Sequence, residues 1–246
     1  MEHTVKSFDE QLRRLNEIIL RMGGLAEAAL SSAMQAVNKR DVDLAAEIVK
    51  DDAKIDELNR DVDELAVRLL ALRQPMANDL REIVAALRIS ADIERIGDYA
   101  ANIAKRAIAM AEMRPSRALP GIARMGRLAQ RLIKEVLDSY AEKNADKAMV
   151  VWARDEEIDD AYNSLFRETL TYMMEDARAI TPSTHILFIA KNIERIGDHA
   201  TNIAETVYFM VKGRPLKESR PKGDLSAFLT QPGAQPAAGE PEPPRE

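Results

Sequence analysis

The chain has 246 residues, 46% hydrophobic but only 4% aromatic, with a formal net charge of -6, three histidines and no cysteine. The lack of cysteine excludes disulfides, thiolate zinc, iron–sulfur clusters and thiol chemistry, so any metal must be held by oxygen or by His3, His185 and His199. The negative charge gives no electrostatic basis for nucleic-acid binding, and abundant Ala, Leu, Ile and Met favour close-packed helices over sheets. The opening stretch MEHTVKSFDEQLRRL is charged throughout, and no later stretch approaches the roughly eighteen uncharged apolar residues of a membrane span, so a soluble, cytoplasmic chain is expected.

Six long helices are predicted, at about 7–38, 41–74, 76–114, 116–143, 146–179 and 183–212. The first contains RMGGLA at 21–26. The second carries an apolar row of Ile48, Ile55, Leu58, Val62, Leu65, Leu69 and Leu72, and beside it the i, i+4 pair Asp52 and Asp56. On the third, Ile89, Ile93, Ile96, Ala100, Ile103 and Ala107 form a seam, while Glu94, Asp98 and Asn102 line the opposite face, where solvent exposure is expected. The fourth helix answers the first with RMGRLA at 124–129, an offset of 103, and the fifth answers the second with Asp155, Ile158 and Asp159. In the sixth, NIERIGDHATNIA at 192–204 restates DIERIGDYAANIA at 92–104, an offset of 100. That repeat carries the seam Ile189, Ile193, Ile196, Ala200, Ile203, Val207 and Met210, and the polar row Glu194, Asp198 and Asn202. Gly97 and Gly197 each cost a helix roughly 1 kcal/mol against Ala, so close helix approach is expected at both.

The chain therefore reads as all-α, two tandem three-helix bundles over 1–115 and 116–212. Pro75, Pro115, Pro120 and Pro182 mark helix boundaries. Seven of the eleven prolines fall in 213–246, which reads as a neutral, disordered tail; its apolar cluster LSAFL at 225–229 is assigned no function.

Each half offers two carboxylate pairs, on neighbouring helices. With 41 acidic residues in 246, chance alone supplies about seven i, i+4 acidic pairs, ordinary solvated helix faces. Recurrence of all four pairs at matched positions is harder to credit to chance, since each like-charge pair destabilises a helix by roughly 0.2–0.5 kcal/mol unless a cation intervenes. Oxygen-only ligands suit Mg²⁺, Mn²⁺, Ca²⁺ or ferric iron. A carboxylate-bridged di-iron oxidase would need Glu-x-x-His pairs, and none of the three histidines stands three residues after a glutamate. A metal-free helical scaffold with acidic docking faces stays open as an alternative.

MEHTVKSFDEQL, RQPMANDLR at 73–81, DIERIGDYAANIA, LTYMMEDARAI at 170–180 and NIERIGDHATNIA resemble the PhoU family, from His3 to about Gly213. That resemblance implies surface metal clusters on Asp52, Asp56, Glu94 and Asp98, and on Asp155, Asp159, Glu194 and Asp198, holding divalent or ferric ions such as iron, manganese or magnesium. It implies a non-enzymatic negative regulator of phosphate homeostasis. Its partners would be the ATP-binding subunit of the phosphate ABC transporter and a phosphate-sensing histidine kinase, at the inner face of the membrane; a homodimer is also expected. The halves differ where Asn59 and Asp63 align with Tyr162 and Phe166, so weaker metal binding is expected at the second cluster, with the two aromatics filling space between the bundles.

Overall fold

A computed structural model describes residues 2–73 and 75–217. Its elements are α1 (Glu2–Lys39), α2 (Val42–Asp51), α3 (Ala53–Arg73), α4 (Ala77–Met110), α5 (Leu119–Ala141), α6 (Ala145–Ala153), α7 (Asp155–Glu175) and α8 (Ile180–Lys212), with a 3-10 turn at Ala177–Ala179. The rod expected at 41–74 is faulted at Asp52; the one expected at 146–179 is faulted at Arg154 and ends at Glu175, where Asp176 turns extended (φ -144°, ψ 112°) before the 3-10 turn. Asp52 keeps right-handed helical geometry and donates its N–H to Ile48 O, so α2 and α3 run on as one rod. At Arg154 the N–H reaches Val151 O instead, tightening the turn.

The turns that open these rods are alike. Arg40 (φ 59°) and Lys143 (φ 49°) take left-handed geometry. Asp41 then accepts from Leu44 N, and Asn144 from Asp146 N and Lys147 N, satisfying first-turn amides that have no helical partner. All four prolines before residue 213 sit at boundaries: Pro75 and Pro115 outside helices, Pro120 and Pro182 in the first turns of α5 and α8.

Packing of α1, α2–α3 and α4 makes one bundle, and α5, α6–α7 and α8 make the second. The bundles join where α4 lies along α8 and α1 along α5. α4 and α8 are antiparallel, with contacts running from Arg88 and Phe209 through Asp92 and His199 to Arg106 and Phe188. Every residue of the predicted α4 and α8 seams is buried. In the second rod Ile48, Ile55, Leu58, Val62 and Leu69 are buried, whereas Leu72 is 72% exposed, where α3 outruns the core.

The glycines of the repeat are contact points. A Cβ on Gly97 would lie 2.8 Å from Ile55 Cδ1, and one on Gly197 2.9 Å from Ile158 Cδ1, the close approach expected of both. The glycines of RMGGLA and RMGRLA act between the halves: a Cβ on Gly23 would lie 2.5 Å from Leu137 Cδ2, and one on Gly126 2.8 Å from Met34 Cε. Met34 and Leu137 are themselves related by the 103-residue offset, so each half supplies the socket for the other half's knob. A polar clasp adds to this joint. Tyr140 donates to Asn16, and Asn16 Nδ2 donates to Glu82 Oε1 at 2.6 Å, with Lys143 Nζ 2.8 Å from the same oxygen.

Of the expected tail only 213–217 is described. Gly213 ends α8 with φ 72°, and Leu216 packs back against the core. The LSAFL cluster lies outside the described residues.

Candidate metal centres

In the first half the structure brings all four candidate carboxylates within electrostatic range of one another. Burial raises the Asp52 carboxyl above its ordinary value; Asp98 and Asp56 raise it further, and Lys105 opposes them. Glu94 is raised by burial, then by Asp98, with Arg95 opposing and Asp56 and Asp52 adding. Gly97 makes room for this meeting, since a Cβ there would stand 3.3 Å from Asp52 Oδ1. Arg95 sits over the α4 pair, 2.9 Å from Asp98 and 3.4 Å from Glu94.

The second half departs from the expected solvent-facing row. Asp155, Asp159 and Glu194 are only 2%, 5% and 5% exposed. Thr201 Oγ1 donates to Asp155 Oδ1 at 3.0 Å, a contact absent from the first half because Ala101 occupies the matching position. Lys191, where the first half has Ala91, donates to Glu194 Oε1 at 2.9 Å, and the buried Glu194 Oε2 has no hydrogen-bond partner. Burial raises the Glu194 carboxyl, the Lys191 bond opposes, and Asp198 and Asp159 add. A helical wheel identifies the face on which Glu194 lies but not the helix that covers it. Thr201 and Lys191 are the residues that motif reading misses, and their only signal is departure from the repeat.

Tyr162 and Phe166 do not fill space between the bundles. They lie on α7, which among the described residues packs only against α5, α6, α8 and the 3-10 turn. Their rings sit 6.2 Å apart, and Lys191 Nζ lies 5.2 Å from the Tyr162 ring centre. His199 is partly exposed; its Nδ1 stands 2.7 Å from Asp92 Oδ1, tying α8 to α4 rather than joining the candidate carboxylates.

A hard cation suits these donors in chemistry: all are oxygens, they repel one another, and Glu194 Oε2 is orphaned. Among the described residues, however, no group of three Asp, Glu or His side chains is arranged to hold one ion. Arg95 and Lys191 already take part of the cation's role. The first set fits a hard cation in composition and charge, and Arg95, 57% exposed, has solvent to swing into. The second fits through Glu194 and Asp198, with Asp155 committed to Thr201.

The profile of the PhoU domain matches residues 19–107 and, a second time, 122–207. This chain belongs to the PhoU family. Among its PhoU relatives, the "Phosphate-specific transport system accessory protein PhoU homolog" of Caulobacter vibrioides strain NA1000 is 51% identical over 91% of this chain and 98% of its own. The protein of the same name from Rhizobium meliloti is 50% identical over 92% and 96%. The crystal structure of PhoU from Pseudomonas aeruginosa superposes with a TM-score of 0.81 at 39% identity, covering 84% of this chain and all of that one. The PhoU regulatory protein of the phosphate transport system from Streptococcus pneumoniae gives 0.80 at 29%, covering 86% and 100%. No helix among the described residues is long and apolar enough to cross a membrane.

Proposed function

We propose that this chain is a non-enzymatic accessory protein of a phosphate-specific transport system. In this reading it couples the ATP-binding subunit of the phosphate ABC transporter to a phosphate-sensing histidine kinase, as a homodimer at the inner face of the membrane, and holds the starvation response off while phosphate is plentiful. The observation that carries it is the 51% identity to the Caulobacter vibrioides accessory protein across 98% of that protein's length. Regulation by contact needs no chemistry: a tenfold preference for one state of a partner, about 1.4 kcal/mol, already biases a two-state equilibrium. Deletion is expected to leave starvation genes expressed in rich phosphate, and pull-downs to recover the transporter subunit and the kinase. Normal repression in the deletion strain, with neither partner recovered, rules the reading out.

The first carboxylate set binds a hard divalent or ferric ion in this reading, and the second binds it more weakly. Burial raises Asp52 and Glu94 first and their mutual repulsion adds to it, a combination that a bound cation relieves and that supports this reading. A metal-free scaffold is the second reading, favoured by the internal neutralisation that Arg95 and Lys191 supply. Metal analysis of protein purified without chelator separates the two.

A further inference from the structure

On one side of the α4–α8 seam lies a concavity of about 400 Å³, lined by Lys105 and Arg106 from α4, by Lys191 and Arg195 from α8, and by Phe188. Its lining contains four basic side chains and no acidic one, in a chain whose net charge is -6. Lys191 reaches a carboxylate, Glu194. Among the described residues Lys105, Arg106 and Arg195 have no carboxylate within ion-pair distance: Lys105 Nζ donates to Asn102 Oδ1 at 3.3 Å, Arg106 lies 4.4 Å over the Phe188 ring, and Arg195 lies 5.7 Å from the Tyr99 ring centre. Like charges gathered around one concavity repel one another and focus a positive potential there, which an anion relieves.

The repeat provides an internal comparison. Positions matching Lys105, Arg106, Lys191 and Arg195 through the 100-residue offset are Glu205, Thr206, Ala91 and Arg95. On that side carboxylates take the place of the cations: Trp152 Nε1 donates to Glu205, Arg95 pairs with Glu94 and Asp98, and Asp92 lies against His199. The same helix pair thus carries a positive concavity on one side and a carboxylate-bearing surface on the other, so the helix packing alone does not impose the charge.

We propose that this concavity binds a small phosphoryl-bearing anion. Lys105, Arg106, Lys191 and Arg195 meet its charge, the two arginines with forked donors that match phosphoryl oxygens, and the Asn102 side-chain amide adds an N–H donor. Phe188 is 48% exposed with Arg106 4.4 Å over its ring, an aromatic surface at the concavity on which a planar base can pack. The shared chemistry is the phosphoryl group, whether carried by inorganic phosphate, by pyrophosphate or by a nucleotide. The proposal depends on neither the regulatory nor the metal reading.

Calorimetric titration of the full chain with inorganic phosphate, pyrophosphate and ADP, at fixed ionic strength and without added metal, tests it. Saturable one-site binding of at least one of the three is expected, weakening as salt rises. Arg106→Gln and Arg195→Gln should each weaken it roughly tenfold or more, the loss of one charge-assisted bond. Arg88→Gln removes the same charge from the other side of the seam and should leave affinity within about twofold, since exposed charges beyond a Debye length are largely screened. Phe188→Ala identifies the source: weaker ADP binding with unchanged pyrophosphate binding points to a nucleotide, and indifference of both to an inorganic ligand. The proposal is overturned if none of the three binds at millimolar concentration, if Arg88→Gln weakens binding as much as Arg106→Gln does, or if folded Arg106→Gln and Arg195→Gln proteins bind like wild type. Binding of an acidic peptide with none of the phosphoryl ligands overturns it in favour of a protein-docking surface.

Discussion

Lys191 Nζ donates to one oxygen of Glu194 at 2.9 Å, while the other oxygen is buried without a hydrogen-bond partner. The carboxylate is therefore only half satisfied, and burial holds its proton more tightly than the unfolded chain does.

The consequence for stability has a definite sign. A carboxyl whose folded pKa is raised above 4.5 contributes most at and below that ordinary value, and the contribution is lost as pH rises through the folded value. In chelator-treated protein, Glu194→Gln should match wild type near pH 4.5 and become the more stable of the two towards pH 8. Urea unfolding across that range checks it; a variant less stable at pH 8 contradicts the assignment.

Adjacent glycines in α1 should respond in opposite directions to the same substitution. At Gly23 an added Cβ meets Leu137, at 2.5 and 2.7 Å from its two methyls, whereas at Gly24 it meets nothing within 4 Å. Gly24→Ala is expected to stabilise by roughly 1 kcal/mol through helix propensity. Gly23→Ala is expected to lose about 1–2 kcal/mol net, because overpacking at the joint exceeds that gain. Equal changes at both positions would mean that α1 and α5 do not lie this close.

For the metal reading, Asp98→Ala combined with Asp198→Ala should release most bound metal and lower the melting temperature modestly. Asp155→Asn should leave the metal content nearly unchanged, since Thr201 already engages that carboxylate. Elemental analysis reads both, and unchanged stoichiometry in the double variant removes the ligand assignment.

Leu216 fixes where the chain tolerates shortening. Truncation after Lys217 should leave thermal stability within a degree or two, whereas truncation after Gly213 also removes the Leu216 contact and should cost about 1 kcal/mol. Thermal melts of the two truncated chains distinguish these outcomes.

The sequence by itself determines the helices, their seams and their duplication, because a 3.6-residue rhythm and a repeat offset are written locally. Ile89 to Ala107 and Ile189 to Met210 are buried as that rhythm requires, and Gly97 and Gly197 are close-approach points as their cost in a helix demands. It does not determine what lies over a polar face. Glu94 and Glu194 occupy matching positions on matching helices, yet Glu94 stays partly open beside Arg95 while Glu194 is buried against Lys191. Only the tertiary structure decides that Gly23 receives Leu137 and that Lys105 and Arg106 share a concavity with Lys191 and Arg195. Those meetings join residues far apart in the chain, through the packing of α1 on α5 and the antiparallel packing of α4 on α8; periodicity reports the direction a side chain takes from its own helix axis and carries no information about what it meets there.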